Sequence, residues 1–423
     1  MDCAVRSREG VTRTEKPRPT TVAAAPKPEV LLIGGTRPEA VKLAPVVKAI
    51  LARGRMRPVV VASGQHESMF EQALDAFDMH PDVRLRIERP TGSQPELLGE
   101  LVRVLDQQLV QRNPSIVVVQ GDTTTALAAA LTAFWRKVPI AHVEAGLRSH
   151  DPRAPFPEEA NRKLLAQISS LHLAPTTRAV ENLRTEGISG PDVVLTGNTV
   201  VDAVLSMADR PVVYSDPRLA AVENRARCKE TRLMLVTVHR RESSGPPLAG
   251  ILAGLRTVLE HHEDVEVVLP VHPNPDVRKQ VMAGVFGLAR VHLTAPLNYI
   301  EFCRLLSTAE LVLTDSGGVQ EEAPSFGVPV LVLRDVTERT EAVEAGCATL
   351  VGTDPRVIAE LASRLLNDPP LARADWPANP FGDGHAAHRV EHAIACRLGL
   401  ESAHPGAMAT ALSMPLPAIA QGE

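Results

Sequence analysis

From Val30 onward the chain alternates short, unbroken apolar runs with longer stretches of helical period. The first half carries VLLIGG, PVVVAS, SIVVVQGD, PIAHVEAG, LHLAPT and DVVLTGN. The second carries LMLVTVH, VEVVLPVH, VHLTAP, LVLTDSGG, PVLVLRD and ATLVGTD. Continuous β-branched runs of about five residues suit strands buried on both faces, and the intervening segments suit crossover helices. TTTALAAALTAFWRK is alanine-rich and opens with threonines able to cap a helix. Six strand–helix units followed by six more predict an α/β protein of two doubly wound domains rather than one very wide sheet. A (β/α)8 barrel is the rival, disfavoured by twelve strands and a proline-broken middle. The division falls in TGNTVVDAVLSMADRP, giving domains at 29–200 and 201–384, with a helix at 385–400 returning toward the first. Residues 1–28 mix Arg6, Arg8, Arg13, Lys16 and Arg18 with prolines and read as a disordered extension, as does the tail at 401–423.

Polar residues follow nearly every run: Arg37 and Glu39, Gln65 and His66, then Asp122, Glu144, His239, His272, Asp315 and Ser316. Ligands of open parallel sheets bind beyond the carboxyl ends of the strands. One polar strand end is an ordinary loop; the repetition in both halves points to a cleft between two domains.

In LTDSGGVQEEAPSFG, Ser316, Gly317 and Gly318 end a strand and open a helix. Free backbone N–H groups there would seat an anion such as a diphosphate; a capped glycine turn is the plain reading. Glu321 and Glu322, a turn further on, could reach ribose hydroxyls. His272 in LPVHPNP could donate to phosphate or serve structurally. TVHRRES places His239, Arg240, Arg241 and Glu242 after a strand. Arg37 and Lys42 straddle the first helix start, in a turn that lacks both G-x-G-x-x-G and the Walker pattern. That suits a mononucleotide's phosphate or sugar. Three carboxylates remain. Asp122 serves chemistry or caps a helix. Glu144 closes an apolar strand among small residues, where desolvation favours proton transfer. Glu158 and Glu159 lie near Arg162, an ion-pair alternative.

Bulk properties narrow the partners. A net charge of -5 and 3% aromatic residues offer neither an electrostatic nor a stacking platform for nucleic acid, nor attraction to anionic membrane. Cys3, Cys228, Cys303, Cys347 and Cys396 are scattered without metal or disulfide spacing, so no metal site is expected and a reducing cytoplasm fits. No apolar run approaches the roughly 20 residues of a spanning helix.

Nine segments, in order, then resemble one family: GTRPEAVKLAPVV, SGQH, QGDTTTALAAALTAF, HVEAGLRS, PFPEEANR, TGNTVVDA, TVHRRES, PVHPNP and LTDSGGVQEEAPSFGVPVLVLRDVTER. They resemble the non-hydrolysing UDP-N-acetylglucosamine 2-epimerases from about Val30 to Cys396. The resemblance implies two Rossmann-like domains facing a cleft in the GT-B manner, a homodimer, and interconversion of UDP-GlcNAc and UDP-ManNAc without a cofactor. It implies catalytic roles for Asp122, Glu144, Glu158 and His239. It implies binding of the UDP-N-acetylhexosamine by Arg37, Lys42, Arg162, His272, Ser316, Gly317, Gly318 and Glu322. Gln65 and Arg241 lie in motifs linked, in some members, to activation by UDP-GlcNAc at a second site. Thr340 stands where the family usually has proline, and the spacer SHDPRAPFPEE also departs.

The chemistry is consistent. The C2 hydrogen of the sugar is not beside a carbonyl, so its removal needs either oxidation at C3 or loss of UDP across C1–C2. Oxidation needs a nicotinamide, whose fingerprint is missing. Elimination to 2-acetamidoglucal and re-addition needs donors around the diphosphate and carboxylates near C2. Competing readings are a GT-B glycosyltransferase, a hydrolysing epimerase, a silent UDP-sugar sensor, and the same chemistry on a modified UDP-N-acetylhexosamine.

Overall fold

The computed structural model describes residues 26–238, 245–368 and 376–402. Most of the N-terminal extension, most of the C-terminal tail, and the pair His239 and Arg241 therefore lie outside the described residues.

The first unit runs β1 (Glu29–Gly34), α1 (Arg37–Arg53), β2 (Arg57–Ala62), α2 (Glu67–Asp75), β3 (Val83–Arg84), α3 (Gln94–Arg112) and β4 (Ile116–Gln120). It continues through α4 (Thr124–Trp135), β5 (Ile140–Val143), α5 (Glu158–Ile168), β6 (Leu171–Ala174), α6 (Thr177–Thr185) and β7 (Val193–Leu195). Helix α7 (Thr199–Ala208) leads to α8 (Arg218–Arg227), β8 (Arg232–Thr237), α9 (Pro246–His261), β9 (Val265–Pro270), α10 (Pro275–Gly284) and β10 (Val291–Thr294). Then come α11 (Tyr299–Thr308), β11 (Leu311–Thr314), α12 (Gly317–Glu322), β12 (Val330–Val332), α13 (Thr340–Glu344), β13 (Ala348–Leu350), α14 (Pro355–Asn367) and α15 (Ala386–Arg397).

Two all-parallel sheets result, in the orders β3-β2-β1-β4-β5-β6-β7 and β10-β9-β8-β11-β12-β13. Every apolar run read from the sequence is a strand. The addition is β3, a two-residue edge strand paired with β2 through Val61↔Val83 and Ala62↔Arg84. Two open sheets rule out the barrel.

Alternation along β1 shows why such runs stay buried. Leu31 and Ile33 face one core with α3 and α4, while Val30 and Leu32 face another with α1 and α7. The second core does not stop at the domain edge: it continues through Tyr299, Phe302 and Leu306 of α11 to Leu233 and Leu235 of β8. Helix α15 closes it by packing on α1 and α7. There Arg55 donates to both oxygens of buried Glu391, at 2.8 and 2.7 Å.

Each strand order reverses direction once, between β1 and β4 and between β8 and β11. At such switch points successive loops part and leave a crevice. The two crevices face each other across the interface, because Lys42 of α1 contacts Glu321 of α12 at 3.0 Å.

Candidate active site between the two sheets

The β1–α1 turn is held by packing and hydrogen bonds. A Cβ on Gly35 would lie 2.0 Å from Ser63 Oγ and 2.9 Å from Thr125 Oγ1, so only glycine lets the turn approach the ends of β2 and α4. Buried Glu39 reaches back from the first turn of α1. Its Oε2 accepts from Gly35 N at 2.9 Å, Thr36 N at 2.8 Å and Thr36 Oγ1 at 2.8 Å, and its Oε1 accepts from Thr123 Oγ1 at 2.6 Å. Burial raises this carboxyl to about 6, against the pull of those donors. Glu39 thus ties the loop after β1 to the loop after β4. Arg37, half-buried, stands at the head of α1.

Lys42 lies beneath, 6% exposed, and bridges the domains. Its Nζ is 2.6 Å from Glu144 Oε2 and 3.0 Å from Glu321 Oε2. Glu144 follows β5 in the left-handed region at φ 69°, a conformation that costs a non-glycine residue roughly 1–3 kcal/mol and is held by its surroundings. Gln120 Nε2 donates to Glu144 Oε2 at 2.5 Å. Across the interface, Glu321 Oε1 accepts from Arg339 Nε at 3.0 Å, and Oε2 from Asn198 Nδ2 at 3.2 Å. Arg339 also pairs with Glu338.

The two buried carboxyls are driven apart. Desolvation works to raise both. For Glu321 the combined charges of Lys42 and Arg339 prevail and its pKa is lowered. Glu144 has the shared ammonium as its one charged partner at hydrogen-bond distance, the neutral Gln120 amide, a more distant Arg339 and the negative Glu321 beside it, so desolvation prevails and its pKa is raised. Desolvation would lower Lys42, but the two carboxylates outweigh it and hold it charged. Two acids with oppositely perturbed affinities are the usual signature of divided acid–base roles.

Asp122 stands beside this cluster on the loop after β4. Its Oδ2 accepts from Arg162 at 2.8 Å (Nε) and 2.6 Å (Nη2), and Asn161 Nδ2 donates to its carbonyl at 2.8 Å. The capping role at α4 belongs to Thr123, whose hydroxyl accepts from Ala126 N at 3.0 Å. The ion pair foreseen for the two adjacent glutamates is made by Glu159. It meets Arg162 Nη1 at 3.0 Å and accepts from Ser149 N at 3.0 Å and His150 N at 3.2 Å, fully buried. Glu158, half-buried, opens α5.

On the second domain, Thr237 and Thr314 hydroxyls meet at 2.6 Å between the ends of β8 and β11, and Thr314 Oγ1 also accepts from Ser316 N at 2.9 Å. A Cβ on Gly317 would sit 2.8 Å from Arg339 Cζ, so any other residue there must displace the guanidinium that lies on the helix start and pairs with Glu321. At Gly318 the same atom would meet only Ser316 Oγ, at 4.0 Å; no packing demands glycine there. Glu322 accepts from Tyr299 OH at 3.0 Å, and burial raises it to about 7. Exposed His272 accepts from Asn274 N through Nδ1 at 3.1 Å. Gln65 Oε1 accepts from Thr125 Oγ1 at 2.7 Å. Thr340 begins α13, so the helix forms without the family's proline.

The structure thus brings together Lys42, Asp122, Glu144 and Arg162 from one side and the Ser316–Glu322 segment from the other. Glu321, first read as a ribose partner, turns instead to Lys42. Gln120, Asn198 and Arg339 were not singled out from the sequence, although Arg339 lies in the DVTER stretch after β12. No cluster able to hold a metal occurs among the described residues. None of their helices is long and apolar enough to cross a membrane.

Two Rossmann-like domains with opposed switch points and a buried cluster of carboxylates and cations between them define a GT-B-like fold. The sequence model of the UDP-N-acetylglucosamine 2-epimerase family matches residues 48–395, and the chain belongs to that family. A probable UDP-N-acetylglucosamine 2-epimerase of Ralstonia nicotianae is 45% identical over 370 residues, covering 86% of this chain and 98% of the relative. The crystal structure of a putative UDP-N-acetylglucosamine 2-epimerase from Listeria monocytogenes is 40% identical. It superposes with a TM-score of 0.80, covering 89% of this chain and 98% of that one. The Neisseria meningitidis UDP-GlcNAc 2-epimerase, solved bound to UDP-GlcNAc, is 36% identical with a TM-score of 0.77, covering 86% and 99%.

Proposed function

We propose that this protein is a non-hydrolysing epimerase that interconverts UDP-GlcNAc and UDP-ManNAc. The observation that carries the reading is the position of Glu144, a buried carboxyl of raised proton affinity, held by Lys42 directly across from the helix opened by Ser316, Gly317 and Gly318.

The diphosphate sits at that helix start, where Gly318 leaves the backbone approachable and Arg37 and His272 add donors. The ribose hydroxyls meet Glu322. With UDP so held, the sugar projects toward Glu144, Asp122 and Glu158. A carboxylate of this group takes the C2 proton; the C2–H electrons form C1=C2, and the C1–O electrons leave with the UDP oxygen. Backbone N–H groups and cations around the diphosphate stabilise the departing charge. The resulting 2-acetamidoglucal receives a proton at C2 from the opposite face while the UDP oxygen re-adds to C1. Glu144 suits the proton-holding side of this exchange because burial opposes its ionised form.

We also propose a cytoplasmic homodimer. Exposed Val110 on α3, Phe134 and Trp135 on α4, and Leu164 on α5 lie on adjoining helices and support a second copy as the covering partner.

Incubation with UDP-GlcNAc in D2O, without nicotinamide, tests the reaction by NMR. UDP-linked ManNAc carrying deuterium at C2 is the expected product. Free ManNAc plus UDP would move the protein to the hydrolysing class. Tight UDP binding without exchange or product would sink the proposal.

A further inference from the structure

Lys42 presents a problem of shared charge. One ammonium touches two buried carboxylates, one from each domain, and cannot neutralise both. The surroundings decide which keeps its claim. On the side of Glu144 the added donor is the neutral Gln120 amide. On the side of Glu321 the added donors are the Arg339 guanidinium, at 3.0 Å, and the Asn198 amide, at 3.2 Å. Even the Glu321 backbone is fixed, its carbonyl accepting from Asn379 Nδ2 at 2.9 Å. Both amides come from the segments where the chain crosses between domains.

We infer that Glu321 is a positioning residue of the acid–base machinery: reaching from the second domain, it takes part of Lys42 away from Glu144 and leaves Glu144 the carboxyl that holds the exchangeable proton. This deepens the proposed epimerase reading and rests on it for its catalytic meaning, though not for its electrostatics. The groups bearing on the trio come from every neighbouring element. They are Lys42 from α1, Gln120 from β4, and the Asp122–Arg162 pair from the β4–α4 loop and α5. Asn198 belongs to the start of α7, Glu322 to α12, and Arg339 with its partner Glu338 to the segment before α13. Only Arg339 and Lys42 among these cations contact the carboxylates of the trio, and Arg339 does so at Glu321. Because Glu321 and Lys42 belong to different domains, the division of charge exists only while the domains are together. Juxtaposition and readiness for proton transfer are therefore one event.

The test is a pair of variants read by carbon NMR on protein labelled with 13C at the glutamate carboxyls. The Glu144 resonance is assigned by its loss in Glu144→Gln. In Glu321→Gln the ammonium belongs to Glu144 alone, so the Glu144 carboxyl titrates at lower pH than in the unaltered protein, by roughly one unit or more. Glu321→Asp keeps the charge on a shorter arm and falls between the two. A titration unchanged or raised in Glu321→Gln overturns the inference. Should that variant fail to fold, the absence of any downward shift in Glu321→Asp does so instead. Turnover of UDP-GlcNAc supplies the second readout. In Glu321→Gln, kcat falls by roughly tenfold or more at neutral pH while KM stays within about threefold, since the nucleotide seat is untouched. An equal rise in KM with kcat unchanged would show Glu321 to be a substrate contact. If the protein proves not to be an epimerase, the carboxyl titration still decides the electrostatic claim by itself.

Discussion

Replacing Lys42 by methionine keeps most of the side chain's volume and removes one charge from the interdomain junction. Its contacts at 2.6 and 3.0 Å are each worth about 6 kcal/mol of direct attraction at an effective dielectric constant near 20, before the cost of dehydration. Breaking one partner out of a buried ion pair costs about 3–5 kcal/mol net, because the other is left uncompensated. Glu321 retains Arg339, so the cost falls mainly on Glu144, left with an amide. Its pKa, already raised above the ordinary 4.5, rises further in the folded variant. A carboxyl that binds protons more tightly folded than unfolded loses stability as pH rises. The variant's deficit is therefore small near pH 5 and reaches about 3–5 kcal/mol near pH 8. Urea unfolding of the ligand-free protein at the two pH values, followed by tryptophan fluorescence, measures it. Adding Glu144→Gln should recover a large part at pH 8. A deficit under about 1 kcal/mol, or one independent of pH, would refute the claim that Lys42 compensates a buried charge.

His142, fully buried with Nε2 2.7 Å from the Gly121 carbonyl, has its pKa lowered to about 4, chiefly by burial. Its stabilising contribution is present above the unfolded value near 6.5 and is lost as pH falls toward 4. Between pH 7 and 5 the protein should lose about 2 kcal/mol more than a His142→Gln variant, judged by urea midpoints. Glu322, raised to about 7, would accept the ribose hydroxyls of the proposed complex best when ionised. UDP-GlcNAc affinity by calorimetry should drop about tenfold from pH 8 to pH 6, and Glu322→Gln should flatten that dependence. The adjacent glycines should part ways. Gly317→Ala drives a methyl into Arg339 and costs roughly 1–3 kcal/mol of stability. Gly318→Ala should leave the melting temperature nearly unchanged yet weaken UDP-GlcNAc binding.

The architecture was legible because parallel strands buried on both faces leave long apolar runs, and all of those runs became strands. Strand β3 escaped because two residues, Val83 and Arg84, carry no period; the open edge of β2 recruits them. Local signals also misplaced some polar groups. Thr123 and Asp122 both precede α4, and only the fold shows that Arg162 claims the aspartate and leaves the cap to threonine. Glu159 and Arg162 stand three apart, the spacing of neighbours on a helix face, so their pair was readable. Glu321 and Glu322 are adjacent, about 100° apart around a helix, and cannot address one sugar equally. One meets Lys42, the other Tyr299. Arg339 gave no local sign of its place in the cluster, since Glu321, the carboxylate it shares with Lys42, lies 18 residues away in another element.

Helix α15, the last described element, covers α1, one of the first. During synthesis the first domain has its final strand at Leu195, but its cover begins only at Ala386. At about 5–20 residues per second, the intervening stretch takes on the order of 10–40 s to appear. For that time the part of α1 that α15 covers waits open at the ribosome while the second domain forms, a window for chaperones and for mispairing with a neighbouring nascent chain. A stop codon just before Ala386 would keep every strand and helix of the cleft and still strip the first domain of its seal. The last described helix is thus part of the first domain's core, and a cut of the gene after Leu195 leaves that part behind.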